Sequence, residues 1–185
     1  MIDIRPLMIF EPDRFRVVAS GYKTTEIYRV THADGALQTT FSLDLETLPQ
    51  PGEFRFPYSL EELERYGQIV PGAFCLGAYV EDLLVGIALA EPQEWNQTLW
   101  VWEFHVAEAY RGQSIGRNLM DQLARLATEA GLRAIICETQ NTNVPAIRFY
   151  RAVGFGVEGV DISYYTNEDM LPGHTVAVFM KRRLK

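Results

Sequence analysis

The residues best suited to chemistry in this 185-residue chain lie between Val101 and Leu119. Glu103 and His105 stand two positions apart in a run rich in aromatic and β-branched residues, which predicts a strand over Thr98–Val106. Side chains two positions apart in a strand share one face, so the pattern predicts a carboxylate and an imidazole side by side. A carboxylate can accept a proton directly or through water, and an imidazole titrates near neutrality.

The segment after this strand has the features of an anion-binding loop. Ala107–Tyr110 turns the chain, and Arg111–Gly116, with the sequence RGQSIG, opens a helix predicted to run to about Ala130. A helix N-terminus presents N–H groups and the positive end of the helix dipole, which suits a pyrophosphate. The segment has neither the GxxxxGK[ST] nor the GxGxxG pattern of other phosphate loops. An ordinary basic helix start is the alternative interpretation.

The elements around this loop predict a βαβ unit. The apolar stripe of the helix has a period near 3.6 residues and contains Ile115, Leu119, Leu123, Leu126, Ala127 and Ala130. Arg133–Thr139 is a nearly continuous apolar run, which is typical of a strand covered on both faces. Two such strands joined through a helix are predicted to be parallel, with a right-handed crossover.

The other elements follow from turn residues and caps. A second helix is predicted over Asn143–Val153, with Asn143 as its N-cap. Ser59 predicts another helix start, with acidic residues in the first turn. Pro49, Pro51, Gly52 and Pro57 predict a loop over Leu48–Pro57. The remaining predicted strands are Ile2–Pro6, Thr25–Thr31, Ala36–Leu43, Ala73–Val80, Leu83–Ala90, Phe155–Tyr165 and Thr175–Met180.

The composition predicts a folded protein and argues against several classes of partner. Hydrophobic residues make up 48% of the chain and charged residues 22%, with a net charge of -7. This acidic balance argues against nucleic acid. Cys75 and Cys137 are predicted to be buried, reduced thiols, and no metal-ligand spacing appears. No basic leader or long apolar run is present, so we expect a cytoplasmic protein without membrane contact.

Two motifs together resemble those of the GNAT N-acetyltransferases. The loop Arg111–Gly116 resembles the acetyl-CoA loop of that family, [Arg/Gln]-x-x-Gly-x-Gly, with Ser114 in the place of the first glycine. Asn143–Phe155 resembles N-x-x-A-x-x-[F/L]-Y-x-x-x-G-F. The resemblance implies an α/β fold (α+β) with a mixed sheet of about seven strands, a splayed parallel pair and flanking helices. It also implies a single domain over residues 1–185, with residues 1–70 as a variable N-terminal elaboration.

Within that family the chain is similar to the streptothricin acetyltransferase group, from about Tyr28 onward. The similarity is carried by Glu138-Thr139-Gln140, Trp95-Asn96, Gly159-Val160-Asp161 with Tyr165, and Ala177-Val178-Phe179. That group tends to carry acidic residues where this chain has Trp102 and Thr175. These two departures leave the antibiotic substrate open.

The resemblance implies acetyl-CoA as a co-substrate and no metal. The residues expected to hold acetyl-CoA are Phe104, His105, Val106, Arg111, Gly112, Gln113, Ser114, Ile115, Gly116, Arg117, Asn143, Ala146 and Tyr150. Backbone groups at Phe104–Val106 are expected to pair with the pantetheine arm, and one N–H to polarise the acetyl carbonyl. The side chain of Arg117 is equally well explained as a phosphate contact or as a solvated helix residue.

The implied reaction is direct transfer of an acetyl group to an amine. Tyr150 resembles the general acid of the family, although a packing tyrosine is the alternative. For the general base we rank Glu103 first, Glu138 second and His105 third, because a strand histidine is more often simply packed. The residues expected at the acceptor are Trp95, Glu138, Asp161 and Tyr165.

The predicted acceptor is a primary amine on a small cationic molecule, and an antibiotic is one candidate. Two alternatives stay open at this point: a protein or peptide N-acetyltransferase, and a non-catalytic acyl-CoA-binding sensor. Members of the family often form dimers, so a homodimer is also an expectation of the resemblance.

Overall fold

The structure of the protein, a computed structural model, describes residues 2–184. The strands are β1 (Ile2–Pro6), β2 (Tyr22–Asp34), β3 (Thr39–Phe54), β4 (Leu76–Val80), β5 (Leu83–Gln93), β6 (Thr98–Val106), β7 (Ala134–Gln140), β8 (Gly156–Asp161) and β9 (Ala177–Arg183). The helices are α1 (Pro12–Val18), α2 (Leu60–Ile69), α3 (Ile115–Glu129) and α4 (Val144–Ala152), with a 3₁₀ turn at Glu108–Tyr110.

Within residues 2–184, seven strands form a mixed sheet in the order β1-β4-β5-β6-β7-β9-β8. The pair β6–β7 is parallel, with a register from Thr98 opposite Ala134 to Val101 opposite Cys137. β6 itself continues to Val106. This is the mixed sheet with a splayed parallel pair that the resemblance implied, so the predicted fold class is confirmed.

A bulge in β6 explains where the parallel pairing stops. Glu103 lies opposite Leu89 of β5, but Val101 lies opposite Ala90, so Trp102 is an extra residue in β6. A bulge bends its strand and increases the local twist. The bulge follows Val101 directly, and therefore separates the part of β6 that pairs with β7 from the part that carries Glu103.

Contacts between residues divide the chain into two compact units. The first comprises residues 2–21, 55–137 and 182–184. Its core packs α1 and α2 against β5 through side chains such as Phe15, Leu63, Ile87 and Leu89. Burying a side chain of this size contributes about 1.5–3 kcal/mol. α3 buries the stripe Ile115, Leu119, Met120, Leu123, Ala124 and Ala127.

The second unit comprises residues 22–54 and 138–181. β2 and β3 pair as an antiparallel ribbon, and β8 and β9 pair as a second antiparallel couple. Asn141 joins these parts of the unit: its side chain donates to the carbonyl oxygen of Tyr28 and accepts from the N–H of Val176, each at 2.8 Å.

The predicted loop over Leu48–Pro57 is wrong, because β3 runs on to Phe54. Thr47 pairs with Glu26 and Gly52 pairs with Thr24, and the register shifts between these two pairs. Pro49 and Pro51 therefore fall inside the irregular stretch. Proline is tolerated there because a bulged residue need not donate a ladder hydrogen bond.

Candidate active site

The carboxylate of Glu103 lies at the centre of a hydrogen-bonded cluster, which we call the Glu103 cluster. Its members are Tyr58, Tyr66, Glu103 and His105. The hydroxyl of Tyr66 donates to Oε1, and the hydroxyl of Tyr58 donates to Oε2 at 3.0 Å. Nε2 of His105 lies 2.5 Å from the same Oε2 and 3.1 Å from the Tyr58 hydroxyl. The predicted pairing of Glu103 with His105 on one face of β6 is confirmed.

Aromatic rings surround this cluster. The ring of His105 meets those of Phe15 and Phe56 edge to face, with centroids 6.1 and 5.3 Å apart. The side chains of Glu103 and His105 are 10% and 13% exposed. An ionised carboxylate in such surroundings is stabilised by the hydrogen bonds it accepts.

Tyr58 and Tyr66 were not predicted as site residues. Tyr66 lies on the buried face of α2 with Leu63, and Tyr58 lies just before the Ser59 cap. Burial, together with the negative charge of Glu103, raises the pKa of both tyrosines, so both stay protonated donors. The only sequence signal was the helical spacing of Leu63 and Tyr66, which marks a buried face without naming its partner.

The side chain of Trp102, the bulged residue, is engaged by Glu91 and Arg65 and makes no hydrogen bond to the Glu103 cluster. Its Nε1 donates to the carboxylate of Glu91 at 2.8 Å, and the guanidinium of Arg65 lies 3.7 Å above its ring. Trp95 lies in the turn before β6 and is 84% exposed. Five residue steps along β6 lead from Thr98 to Glu103, about 17 Å at strand rise, so Trp95 is not part of the Glu103 cluster.

The loop after β6 turns through two left-handed residues. Gly112 has φ 77°, and a Cβ built on it would meet nothing within 4 Å. Ser114 has φ 62°, and its side chain makes no capping hydrogen bond to α3. This left-handed backbone is the one that glycine adopts readily. The first N–H groups of α3 point out of the helix end, which fits an anionic ligand.

Arg111 fixes this loop through backbone oxygens. Its Nε donates to the carbonyl of Val106 at 2.9 Å, and another guanidinium nitrogen donates to the carbonyl of Gly21 at 2.8 Å. Gln113 donates to the carbonyl of Ala109 at 3.2 Å. These two side chains therefore shape the loop from within, and Arg117 follows in the exposed first turn of α3.

Phe104, His105 and Val106 form the last part of β6. They pair with Ala88, Ile87 and Gly86 of β5, beyond the last residue of β6 in register with β7. The backbone that was predicted to receive a pantetheine arm is thus held rigidly along one edge.

The second unit holds the other predicted residues. The hydroxyl of Tyr165 donates to Oε1 of Glu138, and burial and that carboxylate raise the pKa of Tyr165. Asp161 accepts from the N–H of Ser163 at 3.0 Å. The structure therefore brings Glu138 and Tyr165 together, and their role as acceptor contacts stays a prediction.

α4 carries the second motif. The side chain of Asn143 accepts from the N–H of Ala146 at 3.2 Å, so Asn143 is the predicted N-cap. Tyr150 is buried, with its ring 5.4 Å from that of Phe149 and 5.2 Å from that of Phe155. The motif thus fixes the start of α4 and the packing around Tyr150.

Three further observations concern the described residues. In residues 2–184 no cluster of three or more histidine, cysteine or acidic side chains could hold a metal ion. No helix in that range has both the length and the apolar character needed to cross a membrane. Cys75 and Cys137 are buried thiols that form no disulfide among the described residues, as predicted, and burial raises the pKa of Cys75.

The profile of the acetyltransferase (GNAT) family matches residues 38–155. This match covers more than half of the chain, so the chain belongs to the GNAT family. The Glu103 cluster and the glycine-containing loop both lie within the matched residues.

Several known proteins are similar to it. Over 82 residues it is 40% identical to a streptothricin acetyltransferase of Streptomyces lavendulae, covering 44% of this chain and 43% of that protein. Over 89 residues it is 28% identical to streptothricin acetyltransferase A of Bacillus subtilis (strain 168), covering 48% of this chain and 51% of that protein. The chain therefore spans about half the length of these relatives.

Two crystal structures share the fold over the whole chain. A nourseothricin acetyltransferase has a TM-score of 0.77 at 25% identity, covering 100% of this chain and 99% of that one. A Bacillus anthracis protein in complex with acetyl coenzyme A has a TM-score of 0.77 at 22% identity, covering 100% of both chains.

Proposed function

We propose that the protein is an acetyl-CoA-dependent N-acetyltransferase that acts on a primary amine of a small cationic molecule by direct transfer. The observation that carries this proposal is the Glu103 cluster on β6, the strand that leads straight into the loop Arg111–Gly116 and α3. A buried acid–base group and an anion-binding helix start, joined by one short segment, suit a reaction between a cationic amine and an anionic acetyl donor.

The donor end of the site is assigned to the loop. The N–H groups of Gln113–Arg117 would hold the pyrophosphate of acetyl-CoA, and the left-handed backbone at Gly112 and Ser114 lets the loop curl around it. Backbone groups of Phe104–Val106 would hold the pantetheine arm. Acetyl-CoA supplies the acetyl group as an activated thioester.

The protein side chains would manage the protons and the acceptor. Tyr150, by its place in the family motif, would protonate the leaving thiolate, while the Glu103 cluster would take a proton from the amine. Glu138 and Tyr165, with Asp161, would contact the cationic acceptor, whose positive charge suits a chain of net charge -7. The streptothricin acetyltransferases among its relatives support an aminated antibiotic as the particular acceptor. A cytoplasmic location and a homodimer stay predictions.

The test is thiol release from acetyl-CoA by the purified protein with a panel of amines. The panel contains nourseothricin, lysine, spermidine and a peptide with a free amino terminus. We expect release with a small cationic amine and a product heavier by one acetyl group. Faster acetylation of the peptide would favour a peptide acetyltransferase. Calorimetric binding of acetyl-CoA without release for any amine would favour a sensor.

Variants sharpen the assignment. Tyr150→Phe is expected to lower kcat about 10²-fold, as the loss of a proton donor does, with little change in acetyl-CoA binding. Tyr79→Phe, on β4, is the matched control and should leave kcat unchanged. Equal kcat for Tyr150→Phe and the wild type would remove Tyr150 from the reaction while leaving the proposed activity intact.

A further inference from the structure

The hydrogen bonds of the Glu103 cluster bear on which of its members takes the proton. Both oxygens of Glu103 are engaged, Oε1 by Tyr66 and Oε2 by Tyr58 and His105. A carboxylate has about four lone-pair sites, so three donors leave it little capacity to reach a substrate. Glu103 is thus surrounded by the groups it binds.

The same contacts determine where His105 carries its proton. The hydroxyls of Tyr58 and Tyr66 donate to Glu103, which fits an ionised, acceptor-only carboxylate. Nε2 of His105, 2.5 Å from that carboxylate, must then be its N–H donor. A neutral imidazole has one donor and one acceptor nitrogen, so Nδ1 keeps the lone pair.

Nδ1 of His105 is the open side of the cluster. Both hydrogen bonds of the ring within residues 2–184 go through Nε2. Over the same residues, every fully buried side-chain nitrogen or oxygen has a hydrogen-bond partner. Since Nδ1 makes no hydrogen bond to a described residue, it is not fully buried and its lone pair is left for a ligand.

The surroundings of the His105 ring are aromatic rings and one carboxylate, which hold the imidazole in place. From the segment before α2, the His105 ring faces Phe56 and Tyr58, and from α1 it faces Phe15. The charged side chain that contacts the His105 ring is that of Glu103, on the same strand. Glu62 of α2 raises the pKa of Tyr58 and Tyr66, and Arg65 of α2 lowers the pKa of Tyr66. A carboxylate that accepts from one imidazole nitrogen fixes the tautomer and the orientation of the ring, so that the other nitrogen carries the lone pair.

We propose that the imidazole of His105 takes the proton of the acceptor amine at Nδ1, and that Glu103, held by Tyr58 and Tyr66, is its positioning residue. This proposal rests on the acetyltransferase activity proposed above. It reverses the ranking from the sequence, in which Glu103 came first and His105 third. The reversal follows from Tyr58, just before α2, and Tyr66 of α2, whose hydroxyls occupy the carboxylate and leave Nδ1 of His105 as the remaining acceptor.

In the proposed reaction the acceptor amine arrives as an ammonium ion. One proton passes from the ammonium to Nδ1, which leaves an amine with a free electron pair. The amine nitrogen bonds to the acetyl carbon, and the carbon–sulfur bond breaks. Tyr150 gives its proton to the leaving thiolate and is restored by the second nitrogen proton, and the proton on Nδ1 passes to water, so one proton is released per amide formed.

A spectroscopic test on the free protein does not depend on activity. The chain has three histidines, so the ¹⁵N signals of His105 can be assigned by their loss in His105→Gln. We expect a protonated Nε2 and an unprotonated Nδ1 in the neutral ring. In Glu103→Gln the side-chain amide can also donate to Nε2, so a population with the proton on Nδ1 should appear. A wild-type protein with an unprotonated Nε2 would overturn the proposal, because Glu103 would then hold the proton.

A kinetic test uses chemical rescue. His105→Ala is expected to lower kcat/KM by about 10²–10⁴-fold, the range of general base catalysis, and added imidazole should restore part of the rate. Glu103→Ala should also be slow but should not respond to imidazole, because its own imidazole remains. His32→Ala, an exposed histidine on β2, is the control. Full activity of His105→Ala would overturn the proposal, whereas a wild type inactive with every amine would refute the acetyltransferase activity itself and leave the spectroscopic result standing.

Discussion

Arg111 and Val106 are joined by a hydrogen bond of 2.9 Å from the guanidinium Nε to the backbone carbonyl oxygen. This bond ties the loop back to the last residue of β6, and a second bond from the same guanidinium reaches the carbonyl of Gly21 at 2.8 Å. The arginine of the acetyl-CoA motif therefore acts on the protein backbone in this structure. It fixes the distance between the end of β6 and the start of α3.

Replacing Arg111 by lysine should loosen this loop. A lysine has one ammonium group and cannot bond both carbonyls with the geometry of a planar guanidinium. We expect the KM for acetyl-CoA to rise several-fold with a smaller change in kcat, and the free energy of unfolding to fall by about 1 kcal/mol, since the side chain is exposed. Steady-state kinetics and urea unfolding measure both. Arg125→Lys, in an exposed ion pair on α3, is the control. An unchanged KM would show that the loop keeps its shape without this bridge.

Ser114→Gly should stabilise the protein. A non-glycine residue in the left-handed region costs about 1 kcal/mol, and the serine side chain makes no capping hydrogen bond that would be lost. We expect the free energy of unfolding to rise by about 0.5–1 kcal/mol, with acetyl-CoA binding retained. Ser114→Ala is the matched control, because it removes the hydroxyl and keeps the strain. A loss of stability in the glycine variant would mean that the hydroxyl contributes more than the backbone strain costs.

The elements that could be predicted from the sequence are those with strong local signals. The strand Thr98–Val106 was predicted with its observed bounds, and Asn143 caps α4 as expected. The prolines at 49 and 51 misled the prediction of β3, because proline is excluded from a ladder position but not from a bulge. Whether a bulge forms depends on the partner strand β2, and no local pattern reports it.

Only the part of the Glu103 cluster that lies on β6 could be predicted from the sequence. Strand alternation placed Glu103 beside His105, and the structure agrees. Tyr58 and Tyr66 lie 45 and 37 residues away in the chain from Glu103, so their contacts depend on how α2 packs. The proposed order, with His105 ahead of Glu103 as the base, depends on those long-range contacts. Periodicity can identify the face of an element, but it cannot identify what that face meets.

Asn141→Ala should destabilise the protein strongly. Asn141 is 5% exposed. Its side chain donates to the carbonyl oxygen of Tyr28 and accepts from the N–H of Val176, and truncation to alanine removes both hydrogen bonds. Each such loss costs about 1–3 kcal/mol, so we expect the free energy of unfolding to fall by about 2–4 kcal/mol. Asn118→Ala, on the exposed side of α3, is the control. A loss below about 1 kcal/mol would mean that water replaces the amide.

Ionisation of the Tyr22 hydroxyl should lower the free energy of unfolding at alkaline pH. It lies 2.7 Å from Oγ1 of Thr142, and the Tyr22 ring stacks on Phe54 at 4.9 Å. Burial first, and then the charge of Glu138, raise the pKa of Tyr22 to about 12 although the bond to Thr142 opposes the rise. The folded protein therefore keeps this proton between about pH 10 and pH 12 while the unfolded chain releases it. The contribution is complete below about pH 10 and is lost as the pH rises toward the folded pKa.

Tyr22→Phe removes this titration and isolates its effect, because the other tyrosines ionise equally in both proteins. At pH 8 the variant should be less stable by about 1 kcal/mol, since the hydrogen bond to Thr142 is lost. Between pH 10 and pH 12 the wild type should lose on the order of 2 kcal/mol more than the variant, so the two stability curves converge and cross. Urea unfolding at intervals of pH measures this, with Tyr79→Phe as a control that should run parallel to the wild type. Parallel curves for Tyr22→Phe and the wild type would show that the Tyr22 hydroxyl ionises as readily in the folded protein as in the unfolded chain.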